Sequence, residues 1–186
     1  MSNTLKVVGI VGAGTMGNGI AQACAVAGLD VVMVDISDAA VSKGLATVAG
    51  SLDRLLRKEK ITEADKAATL GRIQGSTRYE DLQRADIVIE AATENFELKL
   101  RILKQIDALV APEVIVASNT SSISITKLAA ATTRADRFIG MHFFNPVPMM
   151  ALVEIIRGLQ TSDPTHDAVK ALAVALGKSP ITVRNA

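Results

Sequence analysis

One stretch near the start of the chain, residues 6–35 (KVVGIVGAGTMGNGIAQACAVAGLDVVMVD), limits the possible folds more than any other. An apolar, β-branched run leads into the glycine cluster GAGTMG, a segment of small residues follows, and a second apolar run ends on an acid. Glycines spaced as G-x-G-x-x-G permit a tight turn, a close backbone approach to a ligand and close packing of helix on strand. This order of elements predicts a parallel βαβ unit.

The same order predicts a dinucleotide site. Amides at a helix N-terminus are unpaired and lie at the positive end of the helix dipole, so they can hold a diphosphate without a basic side chain. Asp35 ends the second run and Ile36, not an arginine, follows it, which favours NAD over NADP. A purely structural glycine turn is the alternative. Besides Asp35, the predicted cofactor residues of the turn are Gly12, Gly14, Thr15, Met16 and Gly17.

Apolar runs of strand length alternate with helical patterns along the rest of the chain. Because most of the runs lack polar residues at alternate positions, they are typical of strands buried on both faces of a mostly parallel sheet. The alternation predicts an α/β fold of the doubly wound Rossmann type. The predicted strands are 7–11, 31–34, 87–92, 114–117, 138–141, 152–156 and 181–183. The predicted helices are 15–27, 38–59, 63–73, 96–110, 123–131 and 164–176.

Two features depart from simple alternation. A pair of helical patterns stands where a βαβ unit needs one crossover helix, which predicts a helical insertion over about residues 38–73. The link 144–151 is too short for a parallel crossover, so the strand 152–156 is predicted to turn back antiparallel. We expect residues 1–186 to form one domain.

Composition narrows the range of partners. With 186 residues, 49% hydrophobic, 21% charged and a net charge of +1, the chain has no general attraction for nucleic acid. Its apolar stretches are strand-sized and residues 1–5 lack a signal-peptide pattern, so we expect no membrane partner and a cytoplasmic location. The single cysteine, Cys24, is predicted to be a core residue, and no metal site is predicted.

Polar residues follow several apolar runs, at the edge where doubly wound sheets bind ligands. Glu94, residues 119–122 and His142 hold such positions, and an antiparallel return brings Glu154 to the same edge. An imidazole beside a carboxylate can take a proton from an alcohol as its hydride leaves. The serines fit helix caps equally well, and His142 also fits a core position, so spacing alone leaves both interpretations open.

Four segments, GIVGAGTMGNGIAQ, VDIS, SNTSSISI and GMHFFNPVPMMALVEII, resemble the N-terminal domain of the L-3-hydroxyacyl-CoA dehydrogenase family, and the resemblance covers essentially the whole chain. It implies oxidation of a short-chain (S)-3-hydroxyacyl-CoA to the 3-oxoacyl-CoA, with hydride transfer to NAD. By position, it implies that His142 is the general base, Glu154 orients it, and Ser121 binds the substrate oxygen near the nicotinamide.

The resemblance also implies further binding residues. Glu94, Lys99 and Asn145 would belong to the cofactor site, although Lys99 could equally be a solvated lysine. Ser51 and Lys58, in GSLDRLLRKEK, would face coenzyme A. Arg54 and Arg57 share a helical face with Lys58 and could meet the nucleotide phosphates, but without the resemblance a solvated charged face is the simpler interpretation.

The sequence departs from the family at its end. The family continues with a PGF..NR motif and a helical domain that supplies dimer contacts and closes over the substrate, whereas here the sequence ends at Asn185 and Ala186. We therefore expect the C-terminal helical domain to be absent, the homodimer contacts to lie in that domain, and this chain alone to be weakly active or inactive. Two alternatives stay open: another hydroxy-acid or sugar-acid dehydrogenase domain, and a non-catalytic dinucleotide-binding module.

Overall fold

The computed structural model describes residues 2–184; the predictions that concern Met1, Asn185 and Ala186 lie outside the described residues. Within residues 2–184 the chain forms one eight-stranded sheet. The strands are β1 (Val7–Val11), β2 (Asp30–Val34), β3 (Ile73–Ser76), β4 (Ile87–Glu90), β5 (Ile115–Ser118), β6 (Phe138–Phe143), β7 (Leu152–Arg157) and β8 (Ser179–Arg184). The α-helices are α1 (Thr15–Val26), α2 (Asp38–Arg57), α3 (Glu63–Gly71), α4 (Phe96–Leu109), α5 (Ile125–Ala129) and α6 (Asp163–Ala175).

The strand order is β3-β2-β1-β4-β5-β6-β7-β8. Strands β1 to β6 pair in parallel, β7 runs antiparallel to β6, and β8 pairs in parallel with β7. The order reverses between β1 and β4, where doubly wound sheets open a crevice for ligands. The predicted Rossmann-type fold with an antiparallel edge is confirmed.

Each face of the sheet carries its own apolar core. Val8 and Ile10 of β1 belong to one cluster, with residues of α1, α2 and α6. Val32 and Val34 of β2 belong to the other, with residues of α4 and α5. Successive strand residues point to opposite faces, so helices on both sides explain why the runs are apolar throughout. No helix within residues 2–184 is long and apolar enough to span a membrane.

The crossover from β2 to β3 contains two helices, as predicted. Ser37 caps α2 by accepting the Ala40 amide, and Thr62 forms a capping box with Asp65 at the start of α3. The prediction that the second helix runs to residue 73 is wrong, because α3 ends at Gly71 and the buried Ile73 begins β3. Backbone pairing with β2 stabilises this short edge strand despite its polar residues.

Candidate active site

The three glycines of the turn between β1 and α1 have different roles. Gly12 has a φ of 113°, and a Cβ there would lie 2.7 Å from the Ala91 carbonyl oxygen. A Cβ at Gly17 would lie 1.8 Å from the Gly12 carbonyl oxygen. These two glycines are therefore required for the fold itself. Around Gly14 a Cβ would meet nothing within 4 Å, so this position is left open for a ligand.

The N-terminus of α1 fits an anionic group. Gly14 is its N-cap, and no side chain caps the helix or places an acid in its first turn. The amides there are thus available at the positive end of the helix dipole. Thr15 is exposed beside them, whereas Met16 packs its side chain against the core and can offer a ligand only its backbone.

Asp35 and this turn line one cavity of about 210 Å³. The Asp35 carboxylate accepts the Ala13 amide at 2.8 Å and the Ile36 amide at 2.7 Å, which fixes it at the end of β2. Further lone pairs remain to accept hydrogen bonds from ribose hydroxyls. The glycine turn, the uncapped amides and this carboxylate together fit a dinucleotide.

His142 and Glu154 face each other directly across β6 and β7. The His142 Nδ1 lies 2.9 Å from Glu154 Oε1. Because a carboxylate only accepts, Nδ1 carries the proton and the Nε2 lone pair is left to accept another. The side chains are 15% and 30% exposed, so His142 is not a sealed core residue. The predicted contact between the two residues is present.

Ser121 lies exposed in the loop between β5 and α5. The cap of α5 is Ser124, whose hydroxyl accepts the Lys127 amide, so the capping interpretation applies to Ser124 and not to Ser121. On either side of Ser121, the hydroxyls of Thr120 and Ser122 donate to Glu94 Oε2 at 2.9 and 3.0 Å. Glu94 thus connects the loop after β4 with the loop after β5.

Lys99 is fully buried, so its interpretation as a solvated lysine is wrong. Its Nζ donates to Glu90 Oε1 at 2.5 Å and to the Ser118 hydroxyl at 3.2 Å, and it lies 3.9 Å from Glu94 Oε1. Glu90 and Ser118, at the carboxyl ends of β4 and β5, were missed by sequence reasoning. The one available signal was an acid closing an otherwise apolar run, nine residues before a lysine.

Three residues predicted to face coenzyme A lie together on α2 and just beyond its end. Ser51, Arg54 and Lys58 line a groove of about 490 Å³, whose opposite wall includes Asn145. Arg57 is not among the residues that line it, whereas Lys60, which sequence reasoning did not single out, is. Thr15, Asn18 and Thr47 line both this groove and the cavity beside Asp35, so the two spaces adjoin.

The groove wall contributed by residues 146–149 is anchored by Lys178, another residue missed from sequence. Its Nζ donates to the Val147 carbonyl at 2.6 Å and the Met150 carbonyl at 2.8 Å. Burial lowers the pKa of Lys178 below its ordinary value. These contacts fix the loop that follows Asn145.

A family model described as "3-hydroxyacyl-CoA dehydrogenase, NAD binding domain" matches residues 7–186. The chain is 51% identical over 178 residues to 3-hydroxybutyryl-CoA dehydrogenase from Bradyrhizobium diazoefficiens, covering 96% of this chain and 61% of that protein. It is 48% identical to a probable 3-hydroxybutyryl-CoA dehydrogenase from Deinococcus radiodurans, covering 94% of this chain and 62% of that protein.

Among solved structures, the fold superposes on the crystal structure of (S)-3-hydroxybutyryl-CoA dehydrogenase from Ralstonia eutropha with a TM-score of 0.97. The two chains are 76% identical, and the match covers 98% of this chain and 65% of that one. The chain therefore spans between 61% and 65% of the length of these three proteins.

Proposed function

The chain belongs to the family of NAD-binding domains of 3-hydroxyacyl-CoA dehydrogenases, and from this we propose that the intact protein oxidises (S)-3-hydroxybutyryl-CoA to acetoacetyl-CoA. The observation that carries the proposal is the His142–Glu154 pair, 2.9 Å apart at the carboxyl edge of the sheet. The relatives named for this reaction support the choice of a short acyl chain.

The cofactor is held by the first βαβ unit. The open backbone at Gly14 and the amides that begin α1 would hold the diphosphate, and the Asp35 carboxylate would accept hydrogen bonds from the ribose hydroxyls. Bound there, NAD supplies a hydride acceptor. Glu94 and Asn145 complete the predicted site at the nicotinamide end.

His142 accepts the proton that the substrate hydroxyl loses. Glu154 accepts the hydrogen bond from Nδ1–H, which fixes the ring tautomer and stabilises the imidazolium that forms. Ser121, exposed at the same edge, donates its hydroxyl to the substrate oxygen and orients it toward His142. A general base of this kind contributes roughly 10²- to 10⁴-fold to the rate.

The coenzyme A part of the substrate lies in the groove beside α2. Arg54, Lys58 and Lys60 line it and bring positive charge to the nucleotide phosphates, while Ser51 contributes a hydroxyl. The Ser51 oxygen accepts the Gln22 side-chain amide at 2.9 Å, which leaves its O–H free to donate. A dehydrogenase of free hydroxy acids would not need this groove.

The test is His142→Gln in the intact protein. We expect the kcat for NADH-dependent reduction of acetoacetyl-CoA to fall by roughly 100-fold or more, because in this direction the imidazolium of His142 donates the proton to the substrate oxygen and Gln cannot supply it. NADH affinity, measured by calorimetric titration, should stay close to the wild-type value. His166→Gln is the matched control, since His166 lies on α6 and contacts the Thr182 hydroxyl.

Reduction that stays within a few-fold of wild type in His142→Gln would show that this residue is not the base. Parallel assays with free acetoacetate and gulonate distinguish the proposal from the other hydroxy-acid and sugar-acid dehydrogenases. Binding of NADH without turnover of any of these substrates by the intact protein would favour a non-catalytic module instead.

Three further expectations are part of the proposal. We expect residues 1–186 to form one domain, the intact protein to be a homodimer through a C-terminal helical domain, and its location to be cytoplasmic. Light scattering on the intact protein and on this chain tests the second expectation. A dimeric intact protein together with a monomeric chain of residues 1–186 would support it.

A further inference from the structure

We propose that Glu94 is a positioning residue: its carboxylate, which forms an ion pair at 3.9 Å with the buried Lys99, binds the hydroxyls of Thr120 and Ser122 and so fixes the hydroxyl of Ser121 between them. The inference rests on the proposed function, in which Ser121 orients the substrate oxygen. Glu94 acts here through Ser121 and makes no contact with the substrate.

The base of this arrangement is a buried, charged cluster. Lys99, Glu90 and the Ser118 side chain are fully buried, and Lys99 donates to both of the others. Ser118 also donates to Glu90 Oε1 at 2.8 Å, while Glu90 Oε2 accepts the Ala92 amide at 2.9 Å. A buried ion pair is stable only where its remaining donors and acceptors are satisfied. Most of those in this cluster form hydrogen bonds with one another or with the adjacent backbone.

The Lys99 ammonium also has a neighbour outside this cluster, the carboxylate of Glu94. The Lys99 ammonium has three N–H groups, of which two donate to Glu90 and Ser118. Glu94 Oε1 lies 3.9 Å from the Lys99 Nζ, which is an ion-pair distance and longer than a hydrogen bond. The Lys99 side chain is fully buried, whereas the Glu94 carboxylate is half exposed at the cleft. The positive charge of Lys99 therefore influences the cleft through Glu94.

The other oxygen of Glu94 holds the loop. Glu94 Oε2 accepts Thr120 Oγ1 at 2.9 Å and Ser122 Oγ at 3.0 Å, so the residues before and after Ser121 share one acceptor. The Thr120 oxygen in turn accepts the Ile123 amide at 3.2 Å. Hydrogen bonds to an ionised acceptor are about twice as strong as neutral ones, so this carboxylate can hold an exposed loop in one conformation.

The experiment removes the two hydroxyls and leaves Glu94 in place. In the intact protein we expect Thr120→Val with Ser122→Ala to lower the kcat for acetoacetyl-CoA reduction by roughly tenfold, since small misplacements of an orienting group are costly. NADH affinity by calorimetry and the KM for NADH should stay near wild type. The conservative pair Thr120→Ser with Ser122→Thr retains both hydroxyls and should restore the kcat.

The decisive comparison repeats these substitutions in a Ser121→Ala background. If the hydroxyls act by placing Ser121, their removal has no further effect once Ser121 is gone, and the energies are non-additive. Thr133→Val is the matched control, because its hydroxyl also donates to a carboxylate, that of Asp107, at the opposite end of α4. Its kcat should equal that of wild type.

Two outcomes would overturn the inference, and they distinguish its failure from that of the proposed function. Equal losses of kcat in the Ser121 and Ser121→Ala backgrounds of an active protein would show a general structural role and remove only the inference. An intact wild-type protein that does not reduce acetoacetyl-CoA overturns the proposed function and this inference together. Should the double variant not fold, the single variant Ser122→Ala, at an exposed position, makes the same comparison.

Discussion

At the scale of single residues, the glycine turn separates positions that serve the fold from one that serves a ligand. A methyl group at Gly14 would meet no atom of the protein within 4 Å but would project where the diphosphate is expected. We predict that Gly14→Ala unfolds near the wild-type temperature and loses NADH affinity by roughly tenfold or more, since one misplaced contact to a charged group is worth that much. Thermal unfolding and calorimetric titration measure the two quantities.

Gly17→Ala is the matched comparison on the same helix. Its methyl group would lie 1.8 Å from the Gly12 carbonyl oxygen, so this variant should lose stability as well as affinity. An unchanged NADH affinity in Gly14→Ala would remove this turn from the cofactor site. A loss of stability in Gly14→Ala equal to that in Gly17→Ala would contradict the distinction between the two positions.

Contacts between single residues could be predicted from the sequence where they follow from the regular geometry of paired strands. His142 and Glu154 could be placed together because a short link forces β7 back along β6, and facing residues in a sheet are adjacent. The contacts of Lys99 with Glu90 and Ser118 could not be predicted. They depend on how α4 packs over two parallel strands, and no periodicity in the sequence predicts that packing.

At the scale of elements, the inserted helix α2 and the residues that directly follow it supply the basic wall of the groove. Arg54 and Lys58 line the groove, whereas Arg57 does not. We predict that Arg54→Ala with Lys58→Ala raises the KM for acetoacetyl-CoA by roughly tenfold, because each lost charge-assisted contact weakens phosphate binding by about 1 kcal/mol or more. The kcat and the NADH affinity should change little, and steady-state kinetics separates the two effects.

Arg57→Ala is the control for the Arg54→Ala half of this prediction, since it removes one positive charge from the same helix outside the groove. An equal rise in KM for Arg57→Ala would mean that the effect is a general loss of positive charge. In that case raising the salt concentration should abolish the difference between variant and wild type, because exposed charges are screened.

Helices and strands could be predicted where their packing in the fold matches the pattern of apolar residues in the sequence. Long amphipathic helices are recognisable by their apolar periodicity and buried strands by continuous apolar runs, and most predicted bounds lie within a few residues of the observed ones. Strand β3, with the sequence IQGS, has a single large apolar residue and a glycine, so it carries no such pattern. Gly75 is needed because a Cβ there would lie 2.4 Å from the Val41 side chain. Packing against α2 therefore determines where this strand forms, and no pattern in the sequence reveals that packing.

At the scale of the whole molecule, Arg134 connects the end of α4 to the start of β5 at the edge remote from the site. Its guanidinium donates to the carbonyls of Val110, Ala111 and Val114, and its Nε donates to Asp107 Oδ1 at 2.6 Å. Arg134 is only 4% exposed, so Asp107 neutralises a charge that is almost removed from water. Losing that partner should destabilise the entire domain and not only the local turn.

This pairing gives the stability of the molecule a pH dependence. Partial burial acts to raise the pKa of Asp107, but hydrogen bonds from Arg134 and Thr133 outweigh it and hold the pKa below its ordinary value. A carboxyl whose pKa is lower in the folded state stabilises the protein above its unfolded pKa of about 3.9, and this contribution is lost as the pH falls through the folded value. Asp107→Asn should therefore cost about 2 kcal/mol at pH 7, or roughly 4 to 8 °C in Tm.

The same substitution should matter progressively less in acid. Below a pH of about 3.9 the carboxyl is protonated in the unfolded state while the folded state keeps it ionised, so its contribution to stability falls until the pH passes through the lower folded pKa. The difference in Tm between Asp107→Asn and wild type should shrink over that range. Asp30→Asn, at an exposed position that begins β2, is the control and should leave Tm unchanged at both pH values. Calorimetric unfolding at pH 7 and in acid measures the difference. A gap in Tm that stays constant across this range would show that Asp107 stabilises the fold by shape and hydrogen bonding alone, with no contribution from its charge.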